Sequence, residues 1–268
     1  MPFMISAPES PLLNPNERPA AHVLNPHGTA PAVLVCEHAS RFIPKSLNNL
    51  GLDPEADRSH VAWDIGALDL ATALSDALNA PLVASRVSRL VYDCNRPPES
   101  LGAVPAQSER FAIPGNTGLS DQQKAARADQ VYFPFRTLLA QVLDAHPVAP
   151  VLITIHSFTP TYHGKNRPVE LGILHDKDDR MAQALLHEVQ GRTNLIAALN
   201  QPYSAIDGVT HTLRDQAGPR GLANVMIEVR NDLIDHPDGV ARIAGQLGPI
   251  LKQLVGQFAR PQTQSKQA

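Results

Sequence analysis

"VLITIHSFTP" (residues 151–160) sets five apolar or β-branched residues in an unbroken run and ends that run on His156 and Ser157. A run this short and this apolar has the length of a strand buried on both faces, and is far too short to cross a bilayer. Runs of the same kind recur along the chain. "AVLVCEHAS" (32–40) stops at Glu37-His38, and "APLVASRVSRLVYDCNRPP" (80–98) begins strand-like and stops at a double proline. "VELGILHD" (169–176) and "NVMIEVRND" (224–232) are two more, while "NLIAALNQPYS" (194–204) fits a strand or a loop equally well.

Helical spacing lies between these runs. In "HVAWDIGALDLATALSDAL" (60–78), Val61, Ile65, Leu68, Ala71, Leu74 and Leu78 form one stripe. Residues 120–145 also read as helix, with Ser120 as the cap and Gln123 three positions on. Residues 178–190 and 237–257 complete the set. Strands alternating with helices predict α/β architecture, a three-layer αβα sandwich with a mixed, mostly parallel sheet. Residues 1–30, rich in Pro, Asn and Glu, read as an extended N-terminal arm, 31–259 as a single domain and 260–268 as a disordered tail.

Composition narrows the function classes. The 268 residues are 43% hydrophobic and 18% charged, enough for one sizeable core. A formal net charge of −3 offers no basic surface for nucleic acid, and no apolar run is long enough for a membrane partner. The N-terminus lacks a positive segment followed by an apolar core, and Cys36 and Cys94 are the only cysteines, so a cytoplasmic location is expected. Oligomeric state is not legible. Neither a G-x-S-x-G elbow nor a glycine-rich phosphate loop occurs.

In an open α/β sheet ligands gather beyond the carboxyl ends of the strands. Those ends carry Glu37-His38, Asp93–Arg96, His156-Ser157 and Glu228–Arg230. Two histidines and a carboxylate with one open position compose a hydrolytic zinc site, which nominates His38 and His156 as nitrogen ligands. His60 and Asp64, four residues apart, would share a helix face inside the apolar stripe. A metal is one partner for Asp64 there, with His60 beside it or against substrate. The plainer readings are a satisfied strand-end histidine, one of 11 in the chain, and a helix-start carboxylate steadied by the dipole. Asn95-Arg96 suits recognition of a carboxylate, or a surface pair with a loop acid. Arg89 and Arg86 bring charge able to steady an oxyanion. Glu228, flanked by apolar residues, suits general base and then general acid work, or an ion pair with Arg230. His211, in "GVTHTLRD", is a candidate pocket residue.

"CEHAS", "HVAWDIGA", "SRLVYDCNRPP", "TIHSFTP" and "MIEVRNDL" follow one another across residues 33–234. Together they resemble the N-formylglutamate amidohydrolase family, and more distantly the zinc carboxypeptidase and aspartoacylase group. The resemblance implies a zinc-dependent exopeptidase-like fold and hydrolysis of the amide bond of an N-acyl amino acid, N-formyl-L-glutamate by default. It also implies zinc, or another divalent transition metal, as cofactor. Carried over by position, it makes His38 and His156 metal ligands, Asp64 the acidic position between them, Asn95-Arg96 the holder of the substrate carboxylate and Glu228 the activator of water. The wider group pairs its first ligands as His-x-x-Glu, whereas His38 is followed at that spacing by Arg41, so the second ligand stays open among Asp64, Glu37 and His60. The chain also has "EHAS" where typical members read "PHSG". The rival expectations are a zinc carboxypeptidase or amidase acting on short peptides, and a non-catalytic carboxylate-binding protein on the same scaffold.

Overall fold

The apolar runs come together as a single sheet in the computed structural model, which describes residues 11–259. The first ten residues of the expected arm, and the expected tail at 260–268, lie outside the described residues. In chain order the strands are β1 (Ala21–Leu24), β2 (Ala32–Cys36), β3 (Leu82–Ser85), β4 (Gln107–Ser108), β5 (Phe111–Ala112), β6 (Val151–Phe158), β7 (Thr161–Tyr162), β8 (Lys165–Asn166), β9 (Leu171–Leu174), β10 (Ala197–Leu199) and β11 (Asn224–Arg230). The helices are α1 (Pro54–Arg58), α2 (Ala67–Leu78), α3 (Asp121–Arg127), α4 (Phe133–Asp144), α5 (Arg180–Arg192) and α6 (Pro237–Phe258).

Seven strands make the main sheet in the order β1-β3-β2-β6-β11-β9-β10, while β4–β5 and β7–β8 are small separate hairpins. Strands β3, β2, β6 and β11 run parallel, β9 and β10 are parallel to each other but antiparallel to β11, and β1 is antiparallel to β3. Every residue of β6 is buried because both faces of the sheet are covered. Ile153 and Ile155 face a core built with α2, α5 and α6, while Leu152 faces a second core that includes Phe135, Leu139 and Leu143 of α4. This is the three-layer αβα sandwich with a mixed, mostly parallel sheet. No helix among the described residues is long and apolar enough to cross a membrane.

Several expectations need correction. Within the stretch expected to be an arm, residues 21–24 form β1, which pairs with β3 through contacts such as Val23 opposite Val83. Flanking prolines and asparagines hide this four-residue strand. The helix expected from residue 60 begins only at Ala67. Its first seven positions are turns, because the Asp64 amide donates to His38 O (3.0 Å) at the end of β2 and Gly66 then takes a left-handed φ of 75°. His60 and Asp64 are therefore not neighbours on a helix face. Residues 120–145 do start with the Ser120–Gln123 capping box, but divide into α3, one wide π turn over 128–132, and α4, where Pro134 has no N–H to continue the ladder. Residues 93–96 do not end a strand: β3 stops at Ser85 and turns carry the chain on. The ambiguous 194–204 segment supplies β10.

Gly66 is the pivot of this arrangement. A Cβ at its position would stand 2.1 Å from Ile234 O, on top of the strain of a positive φ. Gly66→Ala is expected to lower stability by about 2–4 kcal/mol, measured as a shift of the urea midpoint. Gly245, exposed in α6 with nothing within 4 Å of an added Cβ, serves as the contrast. Gly245→Ala should raise stability by about 0.5–1 kcal/mol.

Candidate active site

The parallel strands end along one edge, and the register sets Glu228 of β11 level with His156 of β6. His38 stands two residues past the end of β2. The turn over residues 60–66 crosses this edge and is fastened to both neighbours, by the Asp64 amide on His38 O (3.0 Å) and by Ser157 Oγ donating to Ile65 O (2.8 Å). Asp64 is thereby lowered between the two histidines.

Asp64 Oδ2 lies 3.2 Å from His38 Nδ1 and 2.9 Å from His156 Nδ1, and the two Nδ1 atoms are 3.2 Å apart. The rings meet edge to face at 66°, with centroids 4.9 Å apart. All three residues are buried. Each ring turns its other nitrogen to a carboxylate: His38 Nε2 to Asp93 Oδ1 at 2.7 Å, His156 Nε2 to Glu37 Oε2 at 3.2 Å. The first is a short hydrogen bond; the second is an ion-pair contact without the alignment of one. Both nitrogens of each ring therefore face carboxylate oxygens, and the two Nδ1 atoms converge on Asp64 Oδ2; a ring that keeps its proton on Nε2, toward the outer carboxylate, has its Nδ1 lone pair free for a cation.

Two imidazole nitrogens and a carboxylate oxygen at such distances need positive charge among them, as protons on the rings or as a metal cation. Bonds of about 2.0–2.1 Å to zinc in a tetrahedral site put neighbouring donors about 3.3 Å apart, close to the triangle seen here. Imidazole nitrogens braced from behind by carboxylates are the usual arrangement of metal-binding histidines. His38, Asp64 and His156 are the one group of this kind among the described residues that could hold a metal ion.

The electrostatics tell the same story. Burial works against a charge on Asp64, but His38, hydrogen bonds from His156 and His38, and the Arg89 guanidinium hold its carboxyl well below the usual range. Burial also opposes protonation of His156, yet Glu37 and Asp64 raise it well above its ordinary value. His38 is raised too, Asp93 and Asp64 outweighing burial and Arg89. Both shifts express a demand for positive charge at the centre. Glu228 behaves oppositely: burial raises its carboxyl to about 7, and its Oε2 has no hydrogen-bond partner among the described residues.

These groups form the floor of a cavity of about 510 Å³ that His60, Arg89, Asn95 and Arg96 also line. His60 stands at the wall, 3.0 Å from Glu109 of the β4–β5 hairpin. Arg89 gives Nη1 to Asp64 Oδ1 (3.1 Å) and Nη2 to Asp93 Oδ2 (2.8 Å), tying the two carboxylates together. Asn95 uses its amide on the backbone of another loop, donating to Val209 O and accepting from Thr212 N (3.0 Å). Arg96 donates to Gly208 O in the same loop. Arg230 pairs with Asp232 and Glu170, which leaves Glu228 free of it. Two expected residues are not among those lining the cavity. Arg86 reaches back to Arg18 O and Pro19 O (3.2 and 3.3 Å), since one residue beyond β3 its side chain follows the paired β1. His211 bonds the Tyr132 hydroxyl (2.8 Å), because the backbone on either side of it is held by Asn95 and its ring is thrown the other way.

Sequence reasoning named Asp93 only as the start of a chemistry-bearing stretch, without a role, and passed over Arg167 and Tyr203. Asp93 stood in plain view in "YDCNRPP", two residues before the Asn-Arg pair. Arg167 sits just past β8, in a segment with no periodicity to mark it.

Comparison with known proteins gives the family and the fold. The N-formylglutamate amidohydrolase family matches residues 30–235. Among solved structures, gene product Atu2144 from Agrobacterium tumefaciens is 46% identical over 92% of this chain and 98% of its own, with a TM-score of 0.89. The N-formylglutamate amidohydrolase from Ralstonia eutropha JMP134 shares the fold at 15% identity, over 89% of this chain and 97% of its own, with a TM-score of 0.68. No curated protein matches the chain. The family match runs from just before β2 to just past β11 and takes in His38, Asp64, Asp93, His156 and Glu228: the chain belongs to the N-formylglutamate amidohydrolase family.

Proposed function

We propose that this protein is a metal-dependent amidohydrolase that cleaves the amide bond of an N-acyl amino acid, with N-formyl-L-glutamate as the first substrate to try. The observation that carries the reading is the convergence of His38 Nδ1, His156 Nδ1 and Asp64 Oδ2 at 2.9–3.2 Å, on the cavity floor that Glu228 shares. His38, Asp64 and His156 would hold zinc or another divalent transition metal, whose Lewis acidity activates water and polarises the acyl carbonyl.

The remaining work falls to side chains. Arg96 draws a substrate carboxylate to the wall and so fixes the scissile carbonyl over the floor. Glu228 accepts a proton from the attacking water and delivers it to the leaving nitrogen as the C–N bond breaks, releasing the carboxylic acid and the free amine. Burial suits it to both halves, because a carboxyl raised to about 7 gives and takes a proton with equal ease near neutrality. Arg89, occupied by Asp64 and Asp93, acts through the ligands that it holds still. Asn95 acts likewise, by fastening the loop over 209–212. His60 borders the cavity beside Glu109, where substrate passes.

Elemental analysis of the purified protein is expected to find about one divalent metal per chain, lost in both His156→Ala and Asp64→Ala. A wild-type protein that arrives metal-free and takes up no zinc would sink the mechanism. Glu228→Gln should keep its metal while turnover of N-formyl-L-glutamate falls by about 10²–10⁴-fold. Loss of metal in that variant would move Glu228 from proton transfer to ligation.

A further inference from the structure

Three arginines line the cavity, and they differ in what they are given to bind. Arg89 is neutralised by two carboxylates. Arg96 and Arg167 have no carboxylate within ion-pair distance among the described residues, and their hydrogen bonds all leave from Nη1. Arg96 Nη1 serves Gly208 O and Asn95 O, while Arg167 Nη1 serves Tyr203 Oη (3.1 Å) and Thr159 O (3.4 Å). Each guanidinium is left with Nε and Nη2 unengaged, the adjacent pair of N–H groups that receives a carboxylate side-on.

Arg167 is held rigidly for such a task. Its Cζ stands 4.4 Å from the centre of the Tyr162 ring and 4.9 Å from that of Tyr203, with Phe158 at 5.7 Å. The backbone amide is fixed to Pro160 O at 2.8 Å. Rings on several sides restrict the side chain, so little ordering remains to be lost when an anion arrives. The platform comes from three places in the chain, the end of β6, the β7–β8 hairpin and the segment after β10.

We infer that Arg167 is a second carboxylate anchor, separate from Arg96, and that it makes the site select N-acyl amino acids whose side chain is itself an anion. The inference rests on the amidohydrolase reading and names the residue that sets its specificity. One carboxylate of the substrate meets Arg96 and the other meets the Nε–Nη2 edge of Arg167. Loss of Arg167 then weakens binding of the doubly charged substrate alone and leaves the chemistry at Glu228 intact.

The test compares N-formyl-L-glutamate with N-formyl-L-glutamine, which has the same shape without the side-chain charge, in wild type, Arg167→Met and Arg167→Lys. Arg167→Met is expected to lower kcat/KM for the glutamate substrate by roughly 10–100-fold, through KM, with the glutamine substrate unaffected and Arg167→Lys retaining part of the preference. Equal losses on both substrates would show a structural arginine, and no loss on either would remove it from the site; both overturn the inference. Calorimetry with glutarate and butyrate separates the subsite from the activity. A wild type that hydrolyses neither substrate but binds glutarate over butyrate in an Arg167-dependent way keeps the anchor and sinks the hydrolase reading. Turnover without Arg167 dependence does the reverse, and binding of glutarate without Arg167 dependence sinks the anchor.

Discussion

Two imidazole nitrogens and a carboxylate oxygen meeting in a buried pocket form an arrangement that cannot persist without positive charge among them. Much of the surrounding structure consists of what is needed to enforce it. Asp93 and Glu37 stand behind the two rings, Arg89 balances the two aspartates, and the turn over 60–66 is bonded to His38 and to β6 so that Asp64 is pressed into place. The sheet supplies the rigidity, since parallel strands covered on both faces leave His38 and His156 no room to swing apart. Protons on the two imidazoles, or a metal cation among the three donors, supply the positive charge that such a centre demands.

Glu228 shows the same sheet producing the opposite electrostatic result a few ångströms away. Its neighbour in register, His156, is braced by two carboxylates, whereas Glu228 has burial and little else. Gly172 on the antiparallel side keeps that position open: a Cβ there would come within 2.1 Å of Gln201 O and 3.2 Å of Glu228 Cβ. One carboxylate held charged and one inclined to hold a proton thus border the same cavity, the division that the proposed mechanism uses for ligation and proton transfer.

What could be read in advance follows from the kind of signal each residue carries. His38, His156 and Glu228 stand where apolar runs change into polarity, and in a parallel sheet that change of composition is also a position in space. Arg86 and His211 shared the charge and the neighbourhood but not the direction, and side-chain direction outside a regular element has no periodicity to disclose it. The helical stripe beginning at Val61 was real as spacing and wrong as structure up to Gly66, because a tertiary bond from Asp64 to His38 outweighed local preference. Arg167 carried no local mark; its surroundings, Phe158, Tyr162 and Tyr203, meet only once the chain has folded.

The two short hairpins, β4–β5 and β7–β8, stand outside the main sheet, yet the hairpins and their flanks place Glu109 and Arg167 at the cavity. No strand of the core depends on them for pairing. On the proposed reading, the residues of bond cleavage and part of those of recognition are therefore housed in separable parts of one chain, with Arg96 remaining in the turns that follow β3. Lengthening, shortening or exchanging a hairpin would change which molecules are admitted while His38, Asp64, His156 and Glu228 stayed where they are. A scaffold divided in this way can acquire new substrates through changes at its rim, without passing through a form that has lost its chemistry.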